Sequence, residues 1–468
     1  MADDTRKSGG GNGKADHLCV LVHGLWGNPT HLDYVASALR NKYGEEQLII
    51  LTVKRNAGSF TYDGIELGGE RVAKEIEETL EALARDGYQI KKLSVVGYSL
   101  GGLISRYAIG LLHAKGYFDK IKPVNFTTFV TPHLGVRTPL KGYSNHIWNV
   151  LGARTLSMSG RQLFMIDKFR NTGRPLLSVL ADPDSIFIRA LSRFEHRCVY
   201  ANVVNDKSAV YYTTGISKND PFTNLDKVEV NYLNGYEPVI INAEDPVKMK
   251  DEALPSFYSR FAGGSQTFLR NLPPHLALII LVPIGFIAFL INTCIQTIRS
   301  RRRIKLHESI SQDEGYSGYH VPYIIQDVRQ AVEDVFENVN AAHSQEYLAD
   351  GSEEMADIMA EANLKPTDSL PAPLLDQSDS VSEKTVIEND ALVNAPQDAR
   401  QLEFPTLALA PAQFAMIKAL DDVGFRRYPV YIHKHRHSHA AIIVRTPRPD
   451  FEEGKIVISH WLKEEFKI

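Results

Sequence analysis

A serine between two glycines constrains the fold of this chain more than any other feature of the sequence. The segment Gly97-Tyr98-Ser99-Leu100-Gly101 follows a short apolar run at 93–96 and precedes a helical pattern that starts at Leu103. A G-x-S-x-G segment between a strand and a helix makes a sharp turn, which holds the serine hydroxyl clear of the sheet. The glycines are needed because larger side chains beside so tight a turn would collide. The pattern predicts a nucleophilic Ser99.

Short apolar runs alternate with helical patterns on both sides of this turn. The apolar runs, each typical of a buried strand, are residues 18–22, 48–53, 93–96, 124–130 and 197–204. Helices are predicted at 30–42 and 69–85, and the second has apolar residues at helical spacing opposite a glutamate-rich face. This βαβ alternation predicts an α/β protein with a mostly parallel sheet and helices on both faces.

Shifts in composition divide the 468 residues into parts. The predicted parts are a disordered tail at 1–16, the α/β core at 17–260, an apolar segment at 271–298, a basic flank and helical region at 299–364, a disordered acidic linker at 365–401 and a C-terminal part at 405–468. In the C-terminal part we predict a helix at 412–423, strands at 428–432 and 440–444, and a closing helix at 451–466. An insertion at about 142–192 is either a lid over the site or a set of packing helices.

Charge and cysteine content exclude some classes of protein. The net charge of −4 gives no reason to expect nucleic acid as a partner. The three cysteines, Cys19, Cys198 and Cys294, are far apart, which favours reduced thiols in a cytosol-facing protein over a disulfide framework or zinc site. The first residues lack the apolar region of a secretory signal peptide, so we expect none.

A serine hydroxyl near neutral pH needs a general base and an acid that orients the base. Chains with this turn carry them in the order Ser, then Asp or Glu, then His. Asp206 is the favoured acid because it follows the apolar strand that ends at Val203-Val204-Asn205, where sites of parallel sheets gather. Asp182, Asp184 and Asp226 are weaker candidates in less regular surroundings.

Several histidines could act as the base. His433, His435, His437 and His439 precede the predicted strand at 440–444, with no carboxylate or cysteine beside them in the sequence, so we expect no metal site. His439, immediately before that strand, is the first candidate and His437 the second. His133, in the segment Thr131-Pro132-His133-Leu134-Gly135, is a weak alternative.

The loop after the first strand is a second element of the predicted site. It reads His23-Gly24-Leu25-Trp26-Gly27, and a glycine-bearing loop at this place can direct a backbone N–H into the site. The N–H groups of Leu25 and Leu100 would then form an oxyanion hole. We expect His23 itself to be structural.

Five segments together resemble the DUF676 serine esterases, a lipase-like family of the α/β-hydrolase superfamily. The segments are L-V-H-G-L-W-G-N-P at 21–29, V-G-Y-S-L-G-G at 96–102, T-P-H-L-G at 131–135, V-Y-A-N-V-V-N-D at 199–206 and H-S-H-A-A-I-I-V at 437–444. They cover residues 17–215 and the C-terminal part. Within the family the chain is most similar to fungal lipid-droplet phospholipases and to monoacylglycerol lipases.

This resemblance implies an α/β-hydrolase fold and hydrolysis of lipid esters, with Ser99, Asp206 and His439 in the triad positions. The expected substrate is a glycerolipid, either a phospholipid or a monoacylglycerol, and no cofactor or metal is expected. Two alternatives remain open. One is an acyltransferase of the same fold, and the other is a non-catalytic lipid-binding or tethering protein.

The apolar segment predicts association with a membrane or a lipid-droplet surface. Residues 271–298 contain no Asp, Glu, Lys or Arg, and the basic stretch Arg299–Lys305 follows. As a helix, about 20 residues would cover roughly 30 Å, the thickness of a hydrocarbon core. Because the candidate acid precedes the segment and the candidate base follows it, a single crossing would separate them.

We therefore expect residues 276–295 to form a hairpin or a shallow insertion in one leaflet. Pro283 and Gly285 favour a bend, since proline removes a helical hydrogen bond. Arg270 and Arg299 make both ends basic, as expected if both face the cytosol. The predicted location is a lipid droplet or the endoplasmic reticulum membrane, with the core facing the cytosol.

Overall fold

The computed structural model describes residues 14–136, 156–206, 208–250, 291–307 and 405–468. Residues 1–13 of the predicted tail, the first part of the predicted insertion, most of the apolar segment and of the predicted hairpin, residues 308–364 of the predicted helical region and the acidic linker lie outside the described residues. Within the described ranges, none of the helices is both long enough and apolar enough to cross a membrane.

A six-stranded parallel sheet forms the centre of the molecule. Its strands are β1 (His17–Val22), β2 (Leu48–Thr52), β3 (Lys92–Tyr98), β4 (Lys122–Phe129), β5 (His196–Asn202) and β8 (Arg426–Val430), in the spatial order β2-β1-β3-β4-β5-β8. All five neighbouring pairs are parallel. Strands β6 (Val228–Val230) and β7 (Val247–Met249) form a separate antiparallel pair. The parallel sheet predicted from the βαβ pattern is therefore confirmed.

Helices cover both faces of this sheet. In chain order they are α1 (Asp33–Tyr43), α2 (Ile65–Arg85), α3 (Leu100–Ala114), α4 (Ser157–Leu163), α5 (Leu176–Leu180), α6 (Ile186–Ser192), α7 (Tyr211–Thr214), α8 (residues 291–307), α9 (Pro411–Val423), α10 (Ser438–Ala441) and α11 (Glu452–His460). Side chains of β1 alternate between two apolar cores, as the period of a strand requires. Leu18 and Val20 pack with α2, α3 and α9, whereas Cys19 and Leu21 pack with α1 and α11.

The described part of the predicted insertion, residues 156–192, contains helices α4, α5 and α6. Leu163, Leu177 and Leu191, one from each helix, are buried in the same apolar core as the inner face of α3. These three helices therefore pack against the sheet-covering layer rather than stand apart from it, while residues 137–155 lie outside the described residues.

The strand predicted at 440–444 is wrong. The chain forms the short helix α10 there, followed by a turn, and β8 at Arg426–Val430 is the last strand of the sheet. Residues 440–444 are all buried. A short apolar run buried on every side does not distinguish a strand from a helix by its periodicity, which explains the error.

The turn from β3 to α3 depends on close approach of backbone segments. A Cβ atom on Gly97 would lie 2.3 Å from the Cα atom of Gly102, and one on Gly101 would lie 2.2 Å from the carbonyl oxygen of Val22. No side-chain movement relieves contacts of this length with backbone atoms. The glycines of the motif are therefore required by packing between β1, β3 and the first turn of α3.

Replacement of Gly97 by alanine should lower the free energy of unfolding by about 3 kcal/mol or more, because overpacking against backbone forces the turn itself to move. Urea unfolding followed by tryptophan fluorescence measures the change. Gly68→Ala in α2 is the control, since its nearest contacts would be side-chain atoms of Ile104 and Asn56, at 3.1 and 3.2 Å, and not backbone atoms. A Gly97→Ala protein as stable as the wild type would contradict the packing described.

Candidate active site

Ser99 lies on a strained turn at the carboxyl end of β3. Its φ of 54° and ψ of −130° fall in a region that residues with a side chain rarely adopt. Hydrogen bonds hold this conformation: the Ser99 N–H donates to the carbonyl of Phe129 at 2.9 Å, and the Thr131 hydroxyl donates to the carbonyl of Ser99 at 2.9 Å. The side chain is partly exposed. The sheet thus presents the hydroxyl at its edge, as the motif predicts.

The structure brings Ser99, His439 and Asp206 into one hydrogen-bonded series. Nε2 of His439 lies 2.9 Å from Oγ of Ser99, and Nδ1 lies 2.8 Å from Oδ2 of Asp206. An ionised carboxylate only accepts hydrogen bonds, so Nδ1 carries the proton and Nε2 is left to accept from the serine. The first contact joins residues 340 positions apart in the sequence, and the second joins residues 233 positions apart.

Asp206 is held rigidly in the loop after β5. Its carboxylate accepts hydrogen bonds from the Asn202 side chain at 3.1 Å and from the N–H groups of Ser208 and Ala209 at 3.1 and 2.9 Å, in addition to His439. The residue is only 7% exposed. With its acceptor sites engaged in this way, the carboxylate has a fixed position from which to orient the imidazole.

The short helix α10 positions His439. The hydroxyl of Ser438 donates to the carbonyl of Val204 at 2.8 Å, which ties α10 to the loop that carries Asp206. Tyr98, next to Ser99, donates its hydroxyl to the carbonyl of His439 at 3.1 Å. Two hydrogen bonds therefore connect the base to the elements that carry its two partners.

The glycine-bearing loop after β1 lies beside the serine. A Cβ on Gly24 would fall 3.2 Å from Oγ of Ser99, so this turn passes directly over the hydroxyl. Trp26 fixes the turn, since its backbone N–H donates to the Thr61 hydroxyl at 3.0 Å and its indole N–H to the Tyr62 hydroxyl at 2.7 Å. Leu25 is in this turn.

Leu100 is the first residue of α3, where a backbone N–H has no acceptor within the helix. Leu25 thus lies in the turn beside Ser99, and Leu100 directly follows Ser99 in the chain. Their role as an oxyanion hole stays a prediction.

The other histidines near the predicted site have partners different from Ser99. His133 is completely buried and its ring contacts Thr128 at 2.9 Å and Arg106 at 3.4 Å. Burial and the neighbouring positive charge of Arg106 hold the pKa of His133 well below its usual value, so it stays neutral in the core. His437 is the residue before α10, and its backbone N–H donates to the ring of His435. His23 is buried beneath the loop, with Nδ1 3.1 Å from the carbonyl of Gly24.

The weaker acid candidates also lie elsewhere. Asp182 pairs with Arg174 and caps the turn at Asp184, whereas Asp226 is exposed in the segment before β6. The structure therefore brings one of the four candidate carboxylates, Asp206, to the candidate base.

The histidine loop has carboxylate neighbours that its sequence does not reveal. His433 lies 3.3 Å from Glu453 in the first turn of α11, and His435 lies 3.2 Å from Asp450 in the turn just before that helix. Glu453, only 4% exposed, also accepts the N–H groups of His433 and Lys434. Among the residues described, no three histidines, cysteines or carboxylates are grouped closely enough to hold a metal ion. The contacts therefore anchor the loop that leads to His439.

Several supporting residues escaped the sequence analysis: Tyr98, Thr131, Asn202 and Ser438. Tyr98, Thr131 and Asn202 act on the backbone or carboxylate of a candidate site residue, and Ser438 acts on the backbone of the loop that leads to Asp206. All four lie inside the segments that carry the family resemblance, but nothing in the sequence pattern shows which hydrogen bond each makes.

Comparison with known proteins gives a match over the part of the chain that holds the serine and the acid. The family described as "Putative serine esterase (DUF676)" matches residues 12–219. This range includes β1 to β5, the turn at Ser99 and the loop at Asp206, and it ends before the C-terminal part that supplies β8 and His439.

Two fungal proteins are among the similar sequences. The chain is 33% identical over 243 residues to "Putative lipase ROG1" of Saccharomyces cerevisiae, which is 50% of this chain and 33% of that protein. It is 26% identical over 279 residues to "Putative lipase C4A8.10" of Schizosaccharomyces pombe, which is 57% of this chain and 35% of that protein. The matches thus span about a third of the length of these relatives.

Solved structures overlap with smaller parts of the chain. A lipase-esterase related protein from Clostridium acetobutylicum gives a TM-score of 0.25 at 14% identity, over 43% of this chain and 80% of that one. Trichoderma reesei cutinase with a phosphonate inhibitor gives a TM-score of 0.19 at 22% identity, over 26% of this chain and 55% of that one. Because these TM-scores are low, the fold is assigned from the six-stranded parallel sheet of this chain and not from these structures. The resemblance to the DUF676 serine esterases is confirmed over residues 12–219.

Proposed function

We propose that this chain is a serine hydrolase that cleaves acyl esters of glycerolipids through an acyl-enzyme. The observation that carries the proposal is the series Ser99–His439–Asp206, whose two hydrogen bonds measure 2.9 and 2.8 Å. A serine on a strained turn, a histidine directed at it by Nε2 and a carboxylate on Nδ1 make the arrangement of a catalytic triad. No metal takes part in the proposed reaction.

In the first half of the proposed reaction, Ser99 attacks the ester carbonyl carbon. His439 takes the hydroxyl proton on Nε2, and Asp206 stabilises the resulting imidazolium and fixes its tautomer. The negative oxygen of the tetrahedral intermediate is held by the N–H groups of Leu25 and Leu100. His439 then returns the proton to the departing alcohol, and the acyl group remains on Ser99.

In the second half, water replaces the alcohol. His439 removes a proton from this water, which attacks the acyl carbon, and the same N–H groups hold the second negative oxygen. Collapse of the intermediate returns the proton to Oγ of Ser99 and releases the fatty acid. His439 therefore accepts a proton and gives one back in each half of the reaction, and the same two N–H groups hold both negative oxygens.

The surroundings of the serine support a lipid substrate. Trp26, Tyr62 and Leu156 form an apolar cluster against which Leu25 packs, directly beside the site. The fungal relatives named as lipases point to the same substrate class. A glycerolipid ester, either of a phospholipid or of a monoacylglycerol, combines the acyl carbonyl that the triad requires with apolar chains that suit these surroundings.

We propose that the reaction takes place at a membrane or lipid-droplet surface, with the core facing the cytosol, on a lipid droplet or the endoplasmic reticulum. The uncharged sequence at 271–298 supports this location. Asp206 before that segment contacts His439 after it, and Arg303 contacts Asp63. Residues on both sides of the segment therefore belong to one folded body, which supports a hairpin or shallow insertion rather than a single crossing.

Ser99→Ala should abolish labelling by a fluorophosphonate probe and lower kcat for glycerolipid hydrolysis by several orders of magnitude, because the nucleophile is lost. Gel fluorescence and fatty-acid release measure the two effects. His437→Ala is the matched control and should keep both activities. Folded wild-type protein that stays unlabelled would instead favour the non-catalytic tethering alternative.

Asp206→Asn should lower kcat by about a thousandfold or more, because an amide no longer fixes the proton on Nδ1 of His439. Asp182→Asn, which alters only the pair with Arg174, should leave kcat unchanged. Steady-state kinetics on one soluble ester compares the two variants. Equal activity of Asp206→Asn and wild type would place the acid at another carboxylate.

Ser438→Ala should lower kcat by about tenfold and leave KM unchanged, because α10 loses its hydrogen bond to the carbonyl of Val204. Ser438→Thr keeps the hydroxyl and should recover most of the loss. Thermal unfolding of both variants, recorded in parallel, separates misplacement of His439 from loss of the fold. A drop in thermal stability without any change in kcat would refute this positioning role.

A further inference from the structure

Helix α8 turns a polar stripe toward the core of the molecule. Thr293, Gln296 and Ser300 are 8%, 2% and 0% exposed and recur at helical spacing. The Ser300 hydroxyl donates to the carbonyl of Tyr62 at 3.3 Å. A helix on the surface of a soluble protein normally buries an apolar stripe, so this side of α8 reverses the usual pattern.

Charged side chains continue the same buried stripe and fix the helix in place. Arg303 donates to the carboxylate of Asp63 at 2.8 and 2.6 Å and to the carbonyl of Ser59 at 2.9 Å. The Asp63 side chain is completely buried and also accepts from Arg71 at 2.7 Å. Because a buried carboxylate deprived of its partners is costly, this ion pair strongly favours the docked position of α8.

The outward side of α8 carries large apolar side chains that are exposed. Ile291, Ile295 and Ile298 are 57%, 43% and 48% exposed, and together with Leu306 they are four of the seven large apolar side chains exposed in the described part of the chain. Toward the C-terminal end the same side becomes cationic, with exposed Arg299, Arg301, Arg302 and Lys305. Exposed isoleucines next to exposed cationic side chains are typical of a helix at the boundary between lipid acyl chains and anionic headgroups.

This helix is connected to the candidate active site through Tyr62. The Tyr62 carbonyl accepts the hydrogen bond from Ser300 of α8, and its hydroxyl accepts the indole N–H of Trp26 in the turn over Ser99. The position of α8 is therefore coupled to the loop proposed to hold the oxyanion.

We propose that α8 is a lipid-contacting helix, clamped to the core by Asp63, that holds the site against a surface containing anionic lipids. Its isoleucines enter the acyl region, and Arg299, Arg301, Arg302 and Lys305 lie at the headgroups. The polar residues of α8 then contact the polar groups of the protein, and its outer apolar residues contact lipid acyl chains. The orientation of substrate toward Ser99 rests on the proposed function, whereas the lipid contact of α8 does not.

The chain provides its own probe for this contact. All three of its cysteines are among the described residues: Cys19 and Cys198 are buried, and Cys294 is exposed on the outer side of α8. Burial raises the pKa of the Cys19 and Cys198 thiols, so a thiol reagent should label Cys294. The full chain carrying an NBD fluorophore at Cys294 is reconstituted into phosphatidylcholine vesicles with and without phosphatidylserine.

Quenching then reports what surrounds the label. A doxyl group on the acyl chain of the lipid should quench the Cys294 label, more strongly with phosphatidylserine present, and aqueous iodide should not. The control is Lys120→Cys with Cys294→Ser, since Lys120 is exposed at the opposite, amino edge of the sheet, and this label should respond only to iodide. Vesicle-bound protein whose Cys294 label responds to iodide alone, or resists both quenchers because protein covers it, overturns the proposal.

Activity tests the consequence for the substrate. Ile295→Ser with Ile298→Ser should reduce turnover of glycerolipid in the vesicles by about tenfold or more, since burial of each isoleucine in an apolar phase is lost. Turnover of a soluble short-chain ester should not change. Met249→Ser in β7, where the side chain is 54% exposed, is the matched control and should affect neither. Equal loss on both esters would indicate damage to the fold and overturn the orienting role.

The two proposals fail separately. If wild-type protein hydrolyses neither ester while lipid quenches the Cys294 label, the proposed hydrolysis is wrong and the lipid contact stands. If both esters are cleaved at Ser99 while the label stays in water, the hydrolysis stands and the role of α8 is wrong.

Discussion

The parallel pairing of β5 with β8 is the interaction on which the site depends. It aligns Cys198 with Arg426 and Asn202 with Val430, and so adds the C-terminal part to a sheet otherwise built from residues 17–202. The loop after β5 then carries Asp206, and the chain after β8 carries His439. Because parallel strands end at one edge of the sheet, Asp206 and His439 emerge beside each other and beside Ser99. Without this pairing His439 would not reach Ser99.

Strain at Ser99 is tolerated because neighbouring groups fix it from several directions. The backbone of the turn is held by Phe129 and Thr131, and the glycines on either side remove every atom that would prevent the close approach of α3 to β1 and β3. The strained turn is therefore a product of sheet packing, not of the serine itself. In the same way Tyr98 and Ser438 connect the base to the strand and the loop that carry its partners, so the geometry of the series is set by the fold as a whole.

The reversed polarity of α8 connects the site with its proposed surroundings. The buried Asp63 between Arg71 and Arg303 stabilises one position of the helix, and that position leaves Ile291, Ile295 and Ile298 outside the protein core. Since the turn over Ser99 is anchored on Tyr62, which α8 also contacts, a lipid surface that orders α8 would support the same loop that is proposed to stabilise the oxyanion.

Local sequence determined the parallel sheet, the strained turn at Ser99 and the position of Asp206 after β5. Each of these features follows from a few neighbouring residues, either from an apolar run typical of a buried strand or from glycines that a tight turn requires. It identified His439 only as the first of several candidates. It assigned residues 440–444 to the wrong element, because a short apolar run buried on all sides has no diagnostic period. Only tertiary structure decided which histidine reaches the serine, which carboxylates anchor the histidine loop and which side of α8 faces outward. These depend on contacts between distant segments, such as Ser99 with His439 and Asp63 with Arg303, and no local pattern encodes such pairings.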